Sequence, residues 1–80
     1  MIAVPYELVE LTAMEYGAVE CFWRESDRAF TGYVAEVWFL GRPWEFAQKW
    51  ARVVGYPIRS RATEDGPGNY MVSVPVAPGF

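Results

Sequence analysis

PWEFAQKWARVVG, residues 43–55, decides the fold, because both of its ends are marked and its interior has a single period. Pro43 suits a first helical position, where a missing N–H is no loss, and Gly55 stands where a left-handed cap is wanted. Phe46, Ala47, Trp50, Val53 and Val54 fall at helical spacing on one side, with Glu45, Lys49 and Arg52 on the other. The stretch predicts a one-sided amphipathic helix over about 43–54, which needs an apolar surface to cover.

Upstream lie two segments that offer such a surface. In 18–25 (AVECFWRE), Val19, Cys21 and Trp23 alternate with Glu20, Phe22 and Arg24, and in 33–39 (YVAEVWF), Tyr33, Ala35, Val37 and Phe39 alternate with Val34, Glu36 and Trp38. The intervening SDRAFTG has hairpin length and ends in Gly32, so the two strands pair antiparallel with their apolar faces on the helix. Downstream, 57–63 (PIRSRAT) and 69–76 (NYMVSVPV) flank the turn-rich EDGPG and predict a second hairpin. Tyr70, Val72, Val74 and Val76 form its core face, Arg59 and Arg61 share the opposite face of their strand, and Pro75 marks an edge or a strand end. Residues 3–14 (AVPYELVELTAM) admit two readings. Pro5, Glu7, Leu8 and Leu11 permit a short helix; Val9, Leu11 and Ala13 alternating with Glu10 and Thr12 permit a strand turning at Glu15-Tyr16-Gly17, and a strand is expected. The expectation is a single α+β domain over 1–80, with an antiparallel sheet of 4–5 strands on one amphipathic helix and a frayed tail at 75–80.

Composition narrows the function. The chain carries four Trp, five Tyr and five Phe in 80 residues, and no histidine. A buried aromatic brings roughly 150–250 Å² of apolar area, more than so small a core can take fourteen times over. Some aromatics are therefore expected outside, on a surface that binds. The hydrophobic fraction of 52% with a net charge of −3 describes a globular chain. Cys21 is the only cysteine, which rules out an intramolecular disulfide and fits a reducing cytoplasm. MIAVPYELVE has acids where a signal peptide needs bases, and no run approaches the ~20 apolar residues of a membrane span, so no membrane partner is expected. Charge is uneven: Glu7, Glu10, Glu15, Glu20, Glu25, Asp27 and Glu36 oppose only Arg24 and Arg28 in residues 1–40, a net of −5. Residues 41–63 set Arg42, Lys49, Arg52, Arg59 and Arg61 against Glu45, a net of +4. Either the halves neutralise each other across the fold, or an acidic face is presented to a basic partner.

Chemistry finds little support. General acid–base catalysis asks for a group poised near neutral pH, most often histidine. Cys21 sits mid-strand on the face expected to be buried and reads as a small core residue. Glu20 and Glu36 face the same way on adjacent strands, but a cross-strand pair neutralised by Arg24, Arg59 or Arg61 is the plainer account. Lys49 has Glu45 four residues before it, which keeps it charged. EDGPGN lacks the lysine and helix start of a phosphate loop. GYVAEVWF is similar to the strand that stacks bases in RNA-recognition sheets, yet it lacks the basic residue before glycine and sets Glu36 where phosphate would pass. Metal and cofactor ligands of useful spacing are missing, so no enzyme activity and no cofactor is expected.

The outer aromatics remain. Phe22 and Trp38 lie on the sheet face away from the helix among Glu20, Arg24, Glu36, Arg59 and Arg61, with Glu25 and Asp27 flanking, as aromatic anchors in a charged rim. Trp44, near the helix start, is a third candidate, and the alternative is that residues 3–14 fold over that face and bury it. In size, charge and layout, with hairpin, helix PWEFAQKWARVVG and second hairpin, the chain resembles the small phage-encoded anti-CRISPR proteins over most of its length. That resemblance implies a non-enzymatic inhibitor in the host-cell cytoplasm that binds a CRISPR effector subunit and blocks target-DNA recognition by occupying a basic surface. Two other readings stand beside it: a structural interaction domain, homodimer or assembly subunit, pairing through the outer sheet face, and a nucleic-acid-binding module using the basic segment 42–61.

Overall fold

A computed structural model describes residues 1–79. The marked helix, α2, spans Trp44–Val54, with Pro43 just outside its first turn and Gly55 at φ 73° closing it in the left-handed conformation. Glu45 in the first turn and Arg52 in the last suit the helix dipole. Phe46, Ala47, Trp50 and Val54 are buried as the period requires, whereas Val53 is 40% exposed and lies off the buried stripe.

The sheet beneath has β1 (Glu20–Glu25), β2 (Tyr33–Phe39), β3 (Ser60–Ala62) and β4 (Tyr70–Pro75), in the order β1-β2-β4-β3, every neighbour antiparallel. Both hairpins form, and the second contributes the central strand β4. Ala35, Val37, Val72, Val74 and Val76 are fully buried on the face toward the helices, where Phe39 and Phe46 pack at 5.0 Å between ring centroids. β3 pairs only as far as Ser60 with Val72, so β4 has no partner on that side from Ser73 onward. Pro75 falls there, at the strand end, where the N–H it lacks is not missed.

Two expectations are corrected. Residues 3–14 do not form a strand: Tyr6–Glu15 is a helix, α1, so the domain has two helices rather than one. Tyr6, Val9 and Ala13 bury a stripe against β1 and β2 on the same face that α2 covers, and Thr12 turns its hydroxyl back to the Leu8 carbonyl at 2.8 Å. Leu8, Leu11 and Met14 stay exposed on the other sides, and apolar residues all round the helix are what hid its period. The expected frayed tail is also docked over its first part. Val76 is fully buried and forms a parallel bridge with Val4, and the Ala77 N–H donates to the Val4 carbonyl at 2.8 Å. Phe80, the last residue of that expected tail, lies outside the described residues. Among the described residues, no helix is long and apolar enough to cross a membrane.

Candidate functional site

Strand register turns the outer sheet face into a lattice. Glu20, Trp38, Met71 and Arg61 form one row, Phe22, Glu36 and Ser73 the next, and Arg24, Val34 and Pro75 the third. Neither helix covers this face, because both pack on the side of Ala35 and Val37. The N-terminal segment therefore leaves it open.

Trp38 nonetheless does not project. It is 8% exposed, because the β3–β4 loop folds back over it, and a Cβ placed on Gly66 would run into its ring. Gly66 takes φ +97°, so the close approach uses the one residue type that suits both the angle and the space. The indole N–H of Trp38 is buried with no hydrogen-bond partner. Glu36 is buried as well, and its carboxylate accepts from Arg24 Nη1 at 2.9 and 3.3 Å. That bond is the cross-strand neutralisation the sequence allows for, and it draws on Arg24 rather than Arg59 or Arg61.

Phe22 is 41% exposed on β1, an edge strand, with Glu20 and Glu25 exposed along the same strand and Asp27 exposed in the loop beyond it. Of the six residues singled out for binding, these four lie at the surface and Trp38 and Glu36 do not. Trp44 is 63% exposed and, with Tyr70, holds the Arg42 guanidinium between two rings at 5.0 and 4.9 Å. α1 adds what the sequence reading missed: the Tyr6 hydroxyl donates to the Cys21 carbonyl at 3.2 Å and lies 3.2 Å from Glu10 Oε2, which brings Glu10 to the β1 edge. Burial pushes the Cys21 thiol up from its ordinary pKa, and Glu10 and Glu20 push it the same way while the Tyr6 contact opposes them. The thiol is thus held protonated beside two carboxylates, the opposite of an activated nucleophile.

Among the described residues no ion pair joins the two charged halves. Among the described residues the one ion pair is Arg24–Glu36, with both partners inside the acidic half, and Glu45 makes none with Lys49. Arg28 leaves the acids to join Arg59 and Arg61 around a cleft on the outer face. Among the described residues no group of three or more His, Cys, Asp or Glu side chains is placed to hold a metal ion. The molecule is an α+β domain with an acidic, aromatic-bearing edge and a separate basic cleft. No family model, no curated protein and no solved structure matches the chain.

Proposed function

We propose that this protein is a non-catalytic inhibitor that docks on a basic surface of a protein partner through its β1 edge, with Phe22 as the anchor. The observation that carries the reading is Phe22 itself: a phenyl ring 41% exposed on an edge strand and flanked by Glu20, Glu25 and Asp27, which make no ion pair among the described residues. An aromatic anchor supplies contact area at the centre of an interface, and the surrounding charge speeds encounter with a partner of opposite sign. The partner we propose is a CRISPR effector subunit whose nucleic-acid surface the acidic edge occludes, in line with the resemblance in size, charge and layout.

The test is a binding titration with a purified CRISPR effector complex, read both as direct association and as loss of the complex's target-DNA binding. Wild type should bind and displace DNA, and Phe22→Ala should weaken both. Association without DNA displacement overturns the occlusion mechanism, and no association overturns the choice of partner.

A further inference from the structure

Three arginines that make no ion pair among the described residues line one cleft. Arg28 comes from the β1–β2 loop, Arg59 from the approach to β3 and Arg61 from β3 itself, around a space of about 400 Å³ on the outer sheet face. Val34, Met71 and Pro75 give it an apolar floor, and Ser26 and Ser73 add hydroxyls. Among the described residues, no Asp or Glu lines it. Glu36 stands opposite Ser73 in register, but its carboxylate is engaged by Arg24 across the β1–β2 pair. None of the three arginines makes an ion pair among the described residues.

Like charges set around one cleft repel until an anion with several oxygens bridges them, and the planar guanidinium fork matches phosphate or carboxylate oxygens two at a time. The volume falls within the roughly 300–1,000 Å³ of small-molecule sites. A cationic rim over an apolar floor asks for a compact, multiply charged head on a flat or apolar body. An extended acidic peptide fits less well: the open side of β4 runs into Pro75, which has no N–H to give an added strand. We infer that the cleft binds a phosphate ester of nucleotide size, with its phosphates on Arg28, Arg59 and Arg61 and its body on Val34, Met71 and Pro75. The cleft meets the docking edge only at the β1–β2 loop, and the inference does not depend on the docking reading.

A free nucleotide and the end of a nucleic-acid strand present the same chemistry, so the experiment includes both. ADP, inorganic pyrophosphate, a short oligothymidylate and an oligoglutamate are titrated at low salt, followed by amide NMR shifts at Met71 and Ser73, on wild type and on Arg59→Gln, Arg61→Gln and Arg52→Gln. Arg52, Arg59 and Arg61 are exposed and make no ion pair among the described residues, so the variants keep the fold, and thermal melts check this. ADP should shift both amides, with affinity falling about tenfold or more in Arg59→Gln and Arg61→Gln and unchanged in Arg52→Gln on α2. Oligothymidylate binding more tightly than ADP through the same arginines assigns a strand end as the source, and weaker binding assigns a free nucleotide. Four results overturn the inference: no shift with ADP at millimolar concentration, an equal loss in Arg52→Gln, pyrophosphate as tight as ADP, or oligoglutamate tighter than ADP on the same arginines.

Discussion

Trp50 and Cys21 show how one position's surroundings fix its role. Trp50 is 2% exposed, packed from α2 into the cluster that both helices share with the sheet. Trp50→Ala should cost on the order of 3–5 kcal/mol, which approaches the roughly 5–15 kcal/mol that holds a small domain together. Chemical denaturation measures it, and a variant that melts within a few degrees of wild type would place Trp50 outside the core. Cys21 and Tyr6 meet at the β1 edge, and burial, the leading cause for each, raises both pKa values above their ordinary ones. Both groups are charged when deprotonated, so the folded state keeps protons that the unfolded chain releases. Their contribution is fully present below the unfolded values, about 8.5 for a thiol and about 10 for a phenol, and is lost as pH rises above them. Stability should therefore fall on the alkaline side, and Tyr6→Phe should flatten that fall in melts taken across it. A Tyr6→Phe variant with an unchanged alkaline limb would mean that the phenol ionises as easily folded as unfolded. For the same reason Cys21 should be alkylated more slowly than a free thiol near neutral pH, and Cys21→Ala should leave binding intact.

At the scale of elements, the parts that were legible in the sequence carry their signal locally. α2 has a stop, a start and one period within thirteen residues, and its observed span of Trp44–Val54 differs from the expected 43–54 only at Pro43. Alternation placed β1, β2 and β4 on their faces for the same reason. α1 was not legible, because Leu8, Leu11 and Met14 carry apolar residues onto its exposed sides and Val9, Leu11 and Ala13 mimic a strand. The cover on Trp38 was not legible either, since a loop folding onto a sheet face 28 residues away in sequence leaves no periodic trace. That cover gives a prediction of its own. Gly66→Ala adds a Cβ where Trp38 already sits, at a φ that L side chains rarely adopt, so the loop must lift. Acrylamide quenching of tryptophan fluorescence should increase in Gly66→Ala and should not increase when Trp38→Phe is present in the same chain. Far-UV circular dichroism should stay unchanged, because the helices lie on the other face. Equal quenching with and without Trp38 would show that the loop does not shield it.

Across the whole molecule, charge is the organising feature. The chain measures 27 × 22 × 20 Å, and β1 and β3 are opposite edges of the sheet. Three strand spacings of about 4.8 Å put these edges some 14 Å apart, beyond the ~8 Å over which physiological salt screens exposed charge. Glu20 on one edge and Arg61 on the other thus present separate charged edges of one sheet face to approaching partners. On the docking reading, the two kinds of residue on the β1 edge should separate kinetically. Phe22→Ala removes contact area that exists only in the complex, so it should weaken partner binding by about 2 kcal/mol, mostly through faster dissociation. Glu20→Lys changes the field that guides encounter, so it should slow association and flatten its dependence on salt while dissociation stays nearly unchanged. Neither side chain belongs to the buried cluster, so both variants should melt like wild type. Surface-binding kinetics at low and at physiological salt against the purified effector, with melts as controls, distinguish the outcomes. If both variants match wild type in both rates, the β1 edge is not the docking surface, and the interface must be sought on the exposed apolar side of α1, where Leu8, Leu11 and Met14 stand among Glu7, Glu10 and Glu15.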